Sequence, residues 1–335
     1  MNFNKEEFEE MKDMKILILD SALPRGGFEK NLAKLVFADC NNEYYFSTDD
    51  LTEEQLEEIE VIFGDAKVIL RRILNLTNPQ LKWIQTFSAG VDYLPMTELL
   101  DRQILLSNAS GVHAEPIAET TFGTILAHFR GIKQSFEKQL SKDWRQADVS
   151  YKIIRGKKMV VIGTGHIGER IGKLGQAFGM TTIGINHSGH SVPGFKKTMA
   201  LDQLAAAVID ADVLVNALPL TDETRSFYDK QFFTKLTAAP MFINIGRGPS
   251  VVTTDLIAAL NQGKLSAASL DVTDPEPLPP DSPLWQMKNV LITPHISGIY
   301  QEYAEDVIQI FQENLEQYRQ DRTLSRNKVD LDRGY

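Results

Sequence analysis

VVIGTGHIGERIG, residues 160–172, carries the end of an apolar strand, three glycines spaced G-x-G-x-x-G at Gly163, Gly165 and Gly168, and the start of an amphipathic helix. Each glycine has a physical task in that setting. Gly163 permits the tight turn, Gly165 lets a pyrophosphate approach the backbone, and Gly168 allows the helix to pack closely on the strand. The phosphates would sit at the positive end of the helix, on the free N–H groups of its first turn, where His166 and Ile167 lie.

Downstream of this strand and turn, the segments TTIGI (181–185), DVLVNA (212–217), MFINI (241–245), AASLDV (267–272) and NVLITP (289–294) read as buried parallel strands. Helix-compatible stretches at 166–178, 201–209 and 253–262 alternate with them, which predicts a doubly wound parallel sheet. Upstream, KILILD (15–20), VIFG (61–64), KVIL (67–70), KWIQTF (82–87) and ILLSN (104–108) predict the strands of a separate α/β unit. Between the two, apolar residues at helical spacing (Ile117, Phe122, Ile125, Phe129, Ile132, Phe136) predict one long helix over 114–140. A last helix is expected over about 301–318, followed by a polar end.

A chain of 335 residues exceeds what one core usually serves, so two domains are expected, with a cleft between them as the place for a site. The 43% hydrophobic and 24% charged residues exclude disorder and a membrane protein, and no apolar run approaches the roughly 20 residues of a spanning helix. The net charge of −10 argues against nucleic acid or an anionic membrane as partner. The acidic start, MNFNKEEFEEMKDMK, lacks the pattern of a secretory signal, and the single cysteine, Cys40, suits a reducing compartment. A cytoplasmic protein is expected. No His, Cys or carboxylate cluster has metal-ligand spacing.

After the strand TTIGI an acidic residue usually binds the adenosine ribose of NAD. Here Asn186, His187, Ser188, Gly189 and His190 follow, with Lys196 and Lys197 further on. A carboxylate would repel a 2'-phosphate, whereas amide, hydroxyl and imidazole groups donate to one. NADP is therefore expected as the preferred cofactor, with NAD the alternative.

Three islands follow strand ends of the second unit: INIGRGPSVV around Arg247, LDVTDPEPLP around Glu276 and ITPHISG around His295. With SAGVD (88–92), NASGVHAEPIAE (108–119), the glycine motif and the terminal VDLDRGY, they give the chain a resemblance, over nearly its whole length, to the D-isomer-specific 2-hydroxyacid dehydrogenase family. The resemblance implies an NAD(P)-dependent oxidoreductase that interconverts a 2-keto acid and a 2-hydroxy acid, both small molecules. It casts Arg247 as the cation for the substrate carboxylate, His295 as acid/base and Glu276 as the partner orienting the imidazole. That set suits the chemistry: the carboxylate needs a fixed cation and the developing alkoxide a proton donor. Backbone N–H groups of Ala89 and Gly90 would complete the carboxylate site. Asp271 would touch the nicotinamide carboxamide, Leu218 and Pro219 would lie beside the adenine, and Ile245 is a further cofactor contact.

By this reading residues 1–110 and 297–335 form a flavodoxin-like substrate domain closed by the C-terminal helix, and 111–296 a Rossmann domain. A homodimer, joined through the long helix after Gly111, is also implied. Val252 departs from the family's usual Asp or Asn, with Thr253 or Thr254 expected to cap the next helix in its place. His113 and His128 read as helix packing or surface. The rival from another class is a non-catalytic NAD(P)-sensing binding protein, and an enzymatic rival is oxidation of a simple anion such as formate or phosphite.

Overall fold

The computed structural model describes residues 14–19, 42–49, 51–91, 93–144 and 151–332. Cys40 and Asp92 of SAGVD lie outside the described residues, as do Asp20 of KILILD and the last three of VDLDRGY. Two compact units result: one takes the described residues up to Val112 together with those from Tyr300 onward, the other spans His113–Ile299.

In the first unit, β1 (Lys15–Leu19), β2 (Glu43–Tyr45), β3 (Val61–Gly64), β4 (Trp83–Gln85) and β5 (Leu105–Ser107) form a parallel sheet of order β2-β1-β3-β4-β5. That order is the flavodoxin-like one. Side chains alternate between faces along each strand, so Ile16 and Ile18 pack on one side and Leu17 on the other. The first face is closed by the helix Tyr303–Asp321, which buries Val307, Phe311, Leu315 and Tyr318. The Phe311 ring stacks on Phe63 at 4.2 Å and on Trp83 at 5.2 Å between centroids. The opposite face is covered by the helices Glu53–Glu57 and Ile69–Leu74.

KVIL does not form the strand expected of it. Lys67 and Val68 lie in a turn, and Ile69–Leu74 is helical with Ile69, Leu70, Ile73 and Leu74 buried. Three apolar residues in a row, Val68 to Leu70, fit either element, and the repeat of buried apolar residues at 69, 70, 73 and 74 is the helical one. The remaining strand of the sheet is supplied by the polar-looking Glu43–Tyr45, at the sheet edge.

In the second unit, β6 (Lys158–Ile162), β7 (Thr181–Asn186), β8 (Lys197–Ala200), β9 (Val213–Asn216), β10 (Met241–Asn244), β11 (Ala267–Leu270) and β12 (Val290–Ile292) form a parallel sheet of order β12-β11-β10-β9-β6-β7-β8. The chain enters at β6, winds outward through β7 and β8, then returns to build the other half from β9 to β12. Strand order therefore reverses between β6 and β9, the switch point at which such sheets bind ligands beyond their carboxyl ends. Strands β9, β10 and β11 are buried throughout, as expected for strands covered on both faces.

The long helix expected over 114–140 is two helices, Ala114–Phe129 and Ile132–Leu140. The break falls at Gly131, whose φ of 64° is left-handed, a conformation that glycine adopts without steric cost. The first helix buries Ile117, Phe122, Ile125 and Phe129 against the sheet, whereas Ile132 and Phe136 on the second are exposed. The helix Thr253–Asn261 also differs from expectation. Val252 occupies its N-cap position with no side-chain cap, and the Thr253 hydroxyl donates instead to the Asp274 carbonyl at 3.2 Å.

Candidate functional site

The glycine loop joins β6 to the helix His166–Ala177. Gly163 has φ 100°, and a Cβ there would lie 2.5 Å from the Ala217 carbonyl oxygen; on Gly168 it would lie 1.9 Å from that of Gly163. Both positions are filled by the protein itself. Gly165 is different, because a Cβ there meets nothing within 4 Å. The N–H groups of His166 and Ile167 find no acceptor among the described residues. An open backbone edge beside unspent donors at a helix N-terminus fits a pyrophosphate, so the loop suits a dinucleotide.

At the end of β7, Asn186 does not present the donor expected of it. Its Nδ2 donates to Thr164 Oγ1 and to the His190 carbonyl, both at 3.0 Å, while its Oδ1 accepts from the Gly189 N–H at 2.6 Å. The amide is consumed in shaping the loop 186–190. His187, Ser188 and His190 are exposed on it, with Ser188 Oγ 3.0 Å from His190 Nδ1. No carboxylate occurs in this loop.

Because the sheet is parallel, the segments after β6, β10, β11 and β12 all emerge at one edge. After β10, the backbone of Arg247 is held by Asn244 and Ser250, which donate to its carbonyl at 3.3 and 2.6 Å. Its guanidinium is half-buried, donates from Nη1 to the Gly246 carbonyl at 2.9 Å and has no carboxylate partner among the described residues. Gly248 lets this segment lie directly on the turn after β11, since a Cβ there would be 1.8 Å from the Thr273 carbonyl oxygen. In that turn Glu276 Oε1 accepts the Thr273 N–H at 2.9 Å, and Oε2 lies 3.0 Å from His295 Nδ1. The His295 and Glu276 side chains are 56% and 40% exposed, so the pair is open to solvent and to a ligand.

His295 has φ 54°, in the left-handed region that is costly for a residue bearing a Cβ. Asp271 holds the segment in that shape. Its backbone carbonyl accepts the His295 N–H at 2.8 Å, and its carboxylate accepts from the Thr293 hydroxyl at 2.6 Å, from the Ile296 N–H at 3.0 Å and from the N–H and hydroxyl of Ser297. Expected beside the nicotinamide, Asp271 is buried, with its carboxylate engaged by these four groups.

Leu218 and Pro219 follow β9, next to the glycine loop across the switch point; Leu218 is half-buried and Pro219 exposed. Ile245 is buried at the end of β10. In the first unit, the carbonyls of Ser88, Ala89 and Gly90 are all engaged, by the Ala109 N–H, Asn108 Nδ2 and Ser88 Oγ. The N–H groups of Ala89 and Gly90 have no acceptor among the described residues.

Two groups of site residues escaped the sequence reading. His113 belongs here, not to helix packing: its Nδ1 lies 3.1 Å from the Gly298 carbonyl oxygen, three residues beyond His295. Burial holds its pKa below the ordinary histidine value, and the charges of Arg247 and His295 act in the same direction. The second group is a buried ladder in which Asn216 Nδ2 donates to Asn244 Oδ1 at 2.8 Å and to Ser250 Oγ at 2.9 Å, while Tyr228 Oη donates to Asn216 Oδ1 at 3.0 Å. The available signal was an asparagine closing each of the apolar strands VLVN and MFIN, where a lone buried amide needs partners.

Among the described residues no group of three or more His, Cys, Asp or Glu could hold a metal ion, and no helix is long and apolar enough to cross a membrane.

Comparison with known proteins places this geometry in context. Residues 122–297 match the family model described as D-isomer specific 2-hydroxyacid dehydrogenase, NAD binding domain. A glyoxylate/hydroxypyruvate reductase A of Arabidopsis thaliana is 31% identical over 278 residues, covering 82% of this chain and 87% of that protein. Among solved structures, phosphoglycerate dehydrogenase from Lactobacillus plantarum is 37% identical, with a TM-score of 0.56 and coverage of 94% of this chain and all of the other. An NADPH-dependent glyoxylate/hydroxypyruvate reductase from Sinorhizobium meliloti, solved with NADP and sulfate, is 27% identical with a TM-score of 0.79, covering 97% of this chain and all of the other.

Proposed function

Since the chain belongs to the D-isomer-specific 2-hydroxyacid dehydrogenase family, we propose that it reduces a small 2-keto acid to the D-2-hydroxy acid, with NADPH preferred over NADH. The observation that carries this reading is the His295–Glu276 pair, 3.0 Å apart, at the same sheet edge as Arg247 and the glycine loop.

Arg247 binds the substrate carboxylate. Its guanidinium has no carboxylate partner among the described residues, and its planar fork matches two carboxylate oxygens. His295 protonates the oxygen of the reduced carbonyl. A carboxylate only accepts, so the bond to Glu276 puts a proton on Nδ1 and leaves Nε2 as the atom that gives and takes the catalytic one. Glu276, itself fixed by the Thr273 N–H, sets that tautomer and orients the ring. Ala89 and Gly90, in the first unit, offer paired N–H groups of the kind that bind a carboxylate oxygen. Gly163 and Gly168 shape the turn, so that the open backbone at Gly165 and the N–H groups of His166 and Ile167 would hold the pyrophosphate, and Leu218, Pro219 and Ile245 would line the dinucleotide site. When bound, the nicotinamide supplies the hydride.

The preference for NADPH rests on the loop 186–190, which has no carboxylate to repel a 2'-phosphate and exposes His187, Ser188 and His190 to donate to it. The relative from Sinorhizobium meliloti is NADPH-dependent by name, in keeping with this choice. The protein acts as a homodimer; the exposed Ile132, Phe136, Leu140 and Trp144 supply the apolar surface for it.

The test is a substrate panel of glyoxylate, hydroxypyruvate, pyruvate and branched or aromatic 2-keto acids, each assayed with NADPH and NADH. At least one acid is reduced, with the higher kcat/KM for NADPH. Cofactor binding without oxidation across the whole panel would instead assign the chain to the non-catalytic sensors. A clear preference for NADH would remove the role given to His187 and Ser188.

A further inference from the structure

We propose that His113 is a positioning residue for the proposed reduction, anchoring the far end of the segment that carries His295. This rests on the reading of His295 as the acid/base. The segment leaves β12 and is held at its near end by Asp271, which engages Thr293, His295, Ile296 and Ser297. Beyond Ser297 the next hydrogen bond is that between Gly298 and His113. His113 directly precedes the helix Ala114–Phe129, whose Ile117, Ala118, Phe122 and Ile125 are packed into the core of the second unit with Ile171 and Val161. The bond thus ties a segment with an unfavourable left-handed residue to a helix packed into the core of the second unit.

A carbonyl only accepts, so His113 donates from Nδ1 to Gly298. Burial keeps the ring neutral, and the positive charge of Arg247 and the nearby His295 oppose its protonation. A neutral ring serves the site better than a charged one, because a second cation there would compete for the substrate carboxylate and disfavour the imidazolium of His295. Gly298 completes the joint: a Cβ at that position would lie 2.9 Å from His113 Nδ1, so the carbonyl reaches the ring only because the residue is glycine.

A ring that merely packed the start of the helix would be replaceable by any side chain of similar bulk, without regard to its donor, and would not be coupled to residue 298. Four proteins separate the two roles: His113→Ala, His113→Asn, Gly298→Ala and the double variant His113→Ala/Gly298→Ala. The Asn amide places an N–H close to where Nδ1 sits. His113→Ala is expected to lower kcat about tenfold to a hundredfold, the effect of a loosened catalytic geometry, with NADPH affinity within about twofold of wild type, and His113→Asn to restore most of the loss. Gly298→Ala lowers kcat in the wild-type background and adds little to His113→Ala, because removing the ring makes room for the Cβ. The proposal is overturned if His113→Asn is as slow as His113→Ala, if the two losses multiply, or if NADPH affinity falls in step with kcat.

Two readouts do not need turnover. Nitrogen NMR of the ring at pH 7.5 shows a neutral His113 protonated at Nδ1, and the urea midpoints of the four proteins show the same non-additive coupling. An unprotonated Nδ1 or additive midpoints refute the anchor. A wild-type protein that keeps both features yet reduces no 2-keto acid refutes the reading of His295 and leaves the anchor standing.

Discussion

Replacing Gly248 with alanine should separate the two segments that carry Arg247 and Glu276. The new Cβ would lie 1.8 Å from the Thr273 carbonyl oxygen and 2.3 Å from its carbonyl carbon, the first about 1.2 Å short of the 3.0 Å that Cβ contacts respect. Both atoms are backbone, so no side-chain rotation relieves the overlap. Thr273 is bonded through its N–H to Glu276, and Glu276 to His295, so a shift of the turn moves the imidazole as well. Overpacking of this kind costs about 1–3 kcal/mol of stability. A displacement of about 1 Å in a reacting group costs roughly a hundredfold in rate, or about 2.7 kcal/mol of barrier. The expected result for Gly248→Ala is a lower urea midpoint, kcat/KM for the 2-keto acid down about a hundredfold, and NADPH affinity nearly unchanged. Gly165→Ala provides the opposite signature: its Cβ meets nothing within 4 Å, so stability is kept while NADPH affinity drops at least about tenfold as the pyrophosphate is pushed off the backbone. A Gly248→Ala protein with wild-type midpoint and wild-type kcat/KM would refute the reasoning.

Three further outcomes can be checked. His295→Gln removes the exchangeable proton and should lower kcat by about 10²–10⁴ while the dissociation constant for NADPH stays within about twofold; parallel loss of both would show a structural role. Phe311→Ala removes the ring stacked on Phe63 and Trp83 and should destabilise the first unit by about 3–5 kcal/mol in urea titration, a value under 1 kcal/mol being incompatible with that stacking. His113 and His128 both have pKa values lowered by burial from 6.5, so folding favours their neutral forms. Above pH 6.5 their contribution is complete, and it is lost as the pH falls below 6.5 towards their folded values, since the unfolded chain then binds more protons. Wild type should therefore lose more stability between pH 7 and 5 than His113→Asn/His128→Asn, and an equal or smaller loss would contradict the burial of these rings.

Where a residue's placement follows from its neighbours in the chain, it is legible in the sequence. The three glycines, the apolar strands around them and the order of the islands with Arg247, Glu276 and His295 are local patterns, and six of the seven strands of the second sheet follow from them; β8, a polar edge strand, does not. KVIL reads as a strand because three consecutive apolar residues, Val68 to Leu70, carry no period, and Glu43–Tyr45 gives little strand signal because an edge strand needs little apolar surface. The break at Gly131 was hidden by apolar spacing that continues through it, although Ile132 and Phe136 face outward. Asn186 and His113 show the deeper limit. Their side chains are committed to partners set by tertiary structure: Thr164, 22 residues before Asn186, and Gly298, 185 residues after His113. Residue type says what a group can donate or accept, and only the folded chain says to whom.

The self-contained wiring of the loop 186–190 has a consequence for how this protein can change. Asn186 fixes the path of the loop through Thr164, Gly189 and His190, while the side chains of His187 and Ser188 take no part in those bonds. Shape and taste are thereby separated. Mutation can exchange the two outward groups for acids or bases and so redirect the enzyme between cellular pools of reducing equivalents, leaving the scaffold and the proton chemistry proposed for His295 as they were. A lineage built on this loop would be expected to diversify first at 187 and 188 and last at 186.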